Sequence, residues 1–348
     1  GLVDHPRSAG RAVGDGVVFE CVSHVHAYCL YRKKDAVKNF VMKRFGFLFF
    51  TQLTVSSTAL FFVVRRLGGL ATLDASFFVP PAFWVVICFA AALLAHGLGV
   101  WRWQILANAV LSSPRPFSFY LRYYLIGLFY GTFVPGGQLV GEGVKIARMM
   151  PDTAARSALI SSIMADRLIG LAANGILMVF LFLGSFSIRE SPFSEFIFFT
   201  GGAIILGICT VLVLLAAPFF RGRFFLSVAQ ESMRHLLGKM NALMISFIGA
   251  FLFHIAAGLL LYLIVRAYGA RVDFFFVIWI YLVASIALLL PVSYAGFGIR
   301  EGVLVSLLVF SGVFAGTALL VSLFFFVVQA VFALTGGIYE IRELRNRL

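Results

Sequence analysis

The chain has 348 residues, of which 61% are hydrophobic and only 12% charged, with a mean hydropathy of +0.99. This is far too apolar for a soluble domain of its length, so the soluble classes are excluded and a polytopic membrane protein is implied. The formal net charge of +13 does not indicate nucleic acid, because the basic residues gather at the ends of apolar runs instead of forming one stripe. Such patterning belongs to loops that face anionic headgroups on the cytoplasmic side.

Residues 1–44 are mixed in polarity and end in a basic cluster, Arg32, Lys33, Lys34, Lys38, Lys43 and Arg44, which reads as a cytoplasmic tail. Cys21, His24, His26 and Cys29 within it match no zinc spacing, and the four cysteines of the chain are too few for a disulfide framework. The first 30 residues hold no continuous apolar core of a secretory signal, so the first span is expected to target the chain. Residues 45–348 form the predicted transmembrane domain. A span needs ~20 apolar residues, and six runs supply that length: 45–64, 78–100, 157–184, 196–220, 242–265 and 313–338. Trp101-Arg102-Trp103, just after the second run, reads as an interfacial anchor.

Two regions remain, 117–150 and 273–311, and each contains a polar, glycine-rich break. The first break is Val134-Pro135-Gly136-Gly137-Gln138-Leu139-Val140-Gly141-Glu142-Gly143-Val144-Lys145. The second is Pro291-Val292-Ser293-Tyr294-Ala295-Gly296-Phe297-Gly298-Ile299-Arg300-Glu301-Gly302-Val303. Both follow an apolar run, contain a proline and several glycines, and close on Glu-Gly-Val, so a structural repeat is expected. Backbone that leaves helical geometry at bilayer depth must be buried in protein or line a wet cavity. Paired interruptions in two halves of a membrane chain point to a transport site. Placing every strongly basic segment inside requires both regions to return to the side they entered from, as re-entrant hairpins approaching the midplane from opposite faces. The expected fold is therefore all-α, with about six full spans plus two re-entrant broken-helix hairpins in an inverted-topology repeat. Arg65 and Arg66 then fall outside, which snorkelling tolerates.

The span beginning near Ser157 carries Asp166 and Arg167 close to mid-bilayer. Adjacent helical residues do not face each other, so each charge needs a partner elsewhere. Glu142 or Glu301 is expected for Arg167, and Arg300 or Lys145 for Asp166. Gly170 and Asn174 extend the same face. His96, His254, Gln104, Asn108 and Gln329 are isolated polar residues and read as interhelical hydrogen-bonding glue.

Leu290-Pro291-Val292-Ser293 through Gly296-Phe297-Gly298-Ile299-Arg300-Glu301 resembles the Pro-x-Ser-x-x-Gly-x-Gly-x-Arg-Glu signature of flippase-like membrane proteins related to the transmembrane domain of lysylphosphatidylglycerol synthases. Trp101-Arg102-Trp103-Gln104-Ile105-Leu106 is similar to that family's Arg-Trp segment, and Asp166-Arg167 with Gly170 to its Asp-Arg-x-x-Gly helix. The resemblance covers about 45–340. The upstream motif departs from the family pattern, being one residue longer and placing Lys145 where arginine is usual. Lysine lacks the bidentate fork that arginine offers a phosphate.

The resemblance implies a stand-alone lipid translocator, and no aminoacyl-transferase domain is read in these residues. Arg300, Arg167 and Lys145 would hold a lipid phosphate, with Ser293 beside them. Glu142, Glu301 and Asp166 would balance those charges, bind a cationic headgroup or carry a coupling proton. The expected partners are membrane lipids, an anionic or aminoacylated phospholipid or a lipid-linked glycan, in the cell membrane, and homo-oligomerisation stays open. No cofactor, nucleotide or metal motif is read, and no enzymatic reaction is expected. Two alternatives stay open: a transporter of a small solute, and an enzyme acting on lipid-linked substrates.

Overall fold

A computed structural model of the protein describes residues 80–111, 113–134, 137–149, 156–184, 238–287 and 299–345. All regular secondary structure among them is helical. In chain order the helices are α1 (Ala82–Val110), α2 (Phe117–Phe133), α3 (Gly137–Met149), α4 (Arg156–Gly184), α5 (Met240–Ala267), α6 (Phe274–Ala287), α7 (Ile299–Phe310) and α8 (Ala315–Arg345). The tail 1–44, the predicted spans 45–64 and 196–220, Arg65 and Arg66, the Pro135-Gly136 step and most of the second break, Ser293 included, lie outside the described residues.

Four helices, α1, α4, α5 and α8, are long and apolar enough to cross a membrane. They coincide with four of the predicted runs. Helix α1 continues ten residues past the predicted end, through Arg102, because that charge is neutralised inside the protein. Phe83, Phe180 and Ile341 on these helices are strongly exposed, as lipid-facing residues are. The other four helices are shorter, 17 and 13 residues for α2 and α3, 14 and 12 for α6 and α7. At ~1.5 Å per residue none of these described stretches by itself reaches the ~30 Å of a hydrocarbon core.

Local chemistry sets the ends of these elements. Between α1 and α2, Asn108 accepts the backbone N–H of Arg115 at 2.9 Å and donates to its carbonyl at 3.1 Å, and Gln104 donates to the same carbonyl at 3.2 Å. The expected role of Gln104 and Asn108 as hydrogen-bonding glue is met within this corner. Asp273 starts α6 by accepting the N–H of Phe276 at 2.9 Å, an N-cap bond. Helix α3 opens at Gly137 with φ +55°, a left-handed turn that a side chain disfavours.

The helix order repeats. Long, short, short, long describes α1 to α4 and again α5 to α8. The packing repeats with it: α1 lies on α5, and each remaining neighbour pair has a counterpart when the halves are exchanged. Thus α1–α2 answers to α5–α6, α2–α3 to α6–α7, α3–α4 to α7–α8, α1–α4 to α5–α8, α2–α8 to α6–α4, and α4–α5 to α8–α1. The largest apolar cluster sits around α5 and α6, with Trp279, Leu260 and Ile264 fully buried. A second, around Trp103, Tyr120 and Tyr123, joins α1 to α2.

Candidate functional site

A cavity of about 460 Å³ lies between the two halves of the helix order, and all eight described helices contribute to its wall. Close backbone packing builds one side of it. A Cβ on Gly141 would collide with the carbonyl oxygen of Gly127 and stand 3.1 Å from Gly131, so small residues let α3 lie directly on α2. That crossing carries Glu142 and Lys145 to the cavity, one turn apart on the same face of α3.

Glu142 holds two cations. Its Oε2 is 2.5 Å from Lys145 Nζ, and its Oε1 accepts a hydrogen bond from the Arg167 guanidinium of α4. Lys145 is nearly inaccessible and lies 4.1 Å above the Trp103 ring, a cation–π contact. Arg167, by contrast, keeps 44% of its side chain exposed. The neighbouring Asp166 points elsewhere, as adjacency on a helix requires. It accepts two bonds from Arg102 of α1, from Nε at 2.7 Å and from Nη2 at 2.8 Å. Both side chains are less than one-tenth exposed, so this is a buried bidentate pair. Gly170 makes room for it, since a Cβ there would stand 3.1 Å from Arg102 Nη1.

Arg300 enters from the first turn of α7. Its guanidinium donates to Glu301 from Nε at 3.1 Å and from Nη2 at 2.5 Å, and stands 5.5 Å from the ring centres of both Phe325 and Phe326. Adjacent residues pair here because they start a helix, where the long arginine side chain can fold back and the helix N-terminus favours the carboxylate. Glu301 is fully buried behind it. Among the described residues, four cations therefore line the cavity, Arg102, Lys145, Arg167 and Arg300, against two carboxylates, Asp166 and Glu142. The excess is two positive charges, or one when Glu301 is included.

The sequence of the whole chain now decides its kinship: residues 49–337 match the family described as the lysylphosphatidylglycerol synthase TM region. The chain belongs to this family. No curated protein matches it.

Within this lysylphosphatidylglycerol synthase TM region, five of the expected residues, Arg300, Glu142, Lys145, Asp166 and Arg167, share the cavity wall. Glu301 supports Arg300 from behind, and Ser293 lies outside the described residues. Arg167 has one of its expected partners, Glu142. Asp166 does not: its partner is Arg102, which is a buried ion pair and not an interfacial anchor. The residue stands between two tryptophans, so its local context suggested the membrane surface, while its partner lies 64 positions away. Trp101 is the partly exposed member of that triplet, and Trp103 is buried against Lys145. Sequence reading also passed over His96, His254, Tyr124 and Tyr281 as cavity residues. Their signal was the common spacing of 158 residues for the histidines and 157 for the tyrosines, close to the 159 that separates Glu142 from Glu301.

Proposed function

We propose that this membrane protein translocates a phospholipid with a phosphate-bearing headgroup, passing the headgroup through the cavity between the two broken-helix elements. The observation that carries this reading is the cation excess of a cavity walled by all eight described helices. A charged headgroup crosses hydrocarbon only where polar groups replace its hydration. At about 460 Å³ the cavity falls within the usual range for enclosing a small ligand, and it is too small for the acyl chains, which stay in the bilayer.

Arg300 and the half-exposed Arg167 are the phosphate donors in this reading. Lys145 is held by Glu142 and the Trp103 ring, and Arg102 by Asp166, so these two contribute field more than contact. The short pairs α2–α3 and α6–α7 are read as two re-entrant hairpins of an inverted repeat, within about six full spans. The protein acts as a translocator and not as an enzyme, in the cell membrane.

The test is reconstitution of the full chain in vesicles carrying headgroup-labelled phosphatidylglycerol, phosphatidylethanolamine or a lipid-linked sugar, with leaflet accessibility read by a membrane-impermeant quencher. Accelerated exchange of a phosphate-bearing lipid, lost in Arg300→Gln, supports the reading. Exchange no faster than in protein-free vesicles for every lipid, alongside uptake of a soluble solute, overturns it.

A further inference from the structure

His96 and His254 occupy the same place in the repeat, the fifteenth residue of α1 and of α5. Tyr124 and Tyr281 do likewise, each the eighth residue of its helix, α2 and α6. All four line the cavity. His96 Nδ1 lies 3.2 Å from the Tyr124 hydroxyl, and the His254 ring lies 6.2 Å from the Tyr281 ring. The repeat thus sets one imidazole beside one phenol in each half.

Both rings are less than one-tenth exposed. His254 Nε2 is 3.0 Å from the Gly170 carbonyl, which only accepts, so Nε2 carries the proton and Nδ1 is the basic nitrogen. That nitrogen closes no hydrogen bond among the described residues, whereas the His96 ring meets the Tyr124 hydroxyl and the Gln329 side chain. The Tyr124 hydroxyl can donate or accept, so His96 can also hold a second proton. The Nδ1 of His254 is left over at the wall of a polar cavity, and both neighbours of His96, a hydroxyl and an amide, can accept a hydrogen bond from its protonated ring.

The charged groups around them decide when a proton is taken up. The wall they share carries Arg102 from α1, Asp166 and Arg167 from α4, Glu142 and Lys145 from α3, and Arg300 from α7. Helix α8 brings no ionisable side chain to the cavity. A proton on either imidazole adds to an existing cation excess, and a bound anion removes that opposition. By reciprocity, the proton then strengthens binding of the anion.

We propose that His96 and His254 are the proton-binding site of this translocator, two equivalent seats filled together with an anionic headgroup. The inference rests on the headgroup-binding reading above, and equilibrium binding tests it apart from transport. The probe is short-chain phosphatidylglycerol, with short-chain phosphatidylcholine as the zwitterionic control, titrated into the purified full chain. Between about pH 7 and about pH 4, since a buried imidazole takes up a proton only below its solution range, affinity for the anionic lipid should rise about tenfold, within the usual range of coupling between sites. The double variant H96Q/H254Q should bind with an affinity that changes less than about twofold over that range. Should it fail to fold, the single variants decide, each losing about half of the rise on a logarithmic scale. A slope that survives in the histidine variants but vanishes in Glu142→Gln overturns the proposal in favour of a carboxylate. Binding of equal strength at every pH overturns the proton site alone. No binding of phosphatidylglycerol at any pH overturns the headgroup reading and this inference with it.

Discussion

Arg102 and Arg300 hold the same side chain in two different ways, and the difference separates stability from transport. Arg102 is locked into a buried two-bond pair with Asp166. Arg300 rests on its own neighbour, Glu301, with the ring centres of Phe325 and Phe326 each 5.5 Å away, and it lines the cavity. Removing one partner of a buried pair costs ~3–5 kcal/mol, since the remaining charge has nowhere to go. Asp166→Asn should therefore lower the melting temperature in detergent substantially, whereas Arg300→Lys, which keeps a cation beside Glu301, should melt like the wild type. Its lipid exchange should fall about tenfold, because an ammonium cannot present a planar fork to a phosphate. Melting curves beside the vesicle assay check both, and an Asp166→Asn protein as stable as the wild type would show that the pair stabilises nothing.

The short elements depend on glycine contacts, and two glycines two residues apart make the point. Gly141 faces α2 so closely that a methyl group would meet the Gly127 carbonyl, while nothing lies within 4 Å of a Cβ built on Gly143. Gly141→Ala should cost ~1–3 kcal/mol through overpacking, backbone against side chain. Gly143→Ala should be neutral or stabilise by ~0.5–1 kcal/mol, the usual gain of alanine over glycine within a helix. Equal thermal shifts for the two variants would count against the close α2–α3 crossing. The existence of these elements was legible in the sequence, because apolar runs interrupted by proline and glycine can end only there. What was not legible was the packing that neutralises charge. The span through Arg102 is longer than its apolar run, since the partner of that charge sits on another helix. Likewise Glu301 and Glu142 look alike in sequence, yet one is buried behind Arg300 and the other stands in the cavity wall.

For the whole molecule, the question is the direction in which the second half runs relative to the first. Helix order and neighbour pairs repeat, but a repeat of this kind can be parallel or inverted. The turn from α1 to α2 and the turn from α5 to α6 are equivalent places, Ser113 in the first and Arg271 in the second, both exposed and 158 residues apart. The basic segments are expected to place the first turn in the cytoplasm, and the sequence-based expectation that 157–184, 196–220 and 242–265 each cross puts the second outside. In a background without its own cysteines, Ser113→Cys should react with an impermeant thiol reagent only from the cytoplasmic face, and Arg271→Cys only from the opposite one. Both positions labelling from the same face would require an even number of crossings between them, make the repeat parallel, and remove the argument that the two broken elements meet at the cavity from opposite sides.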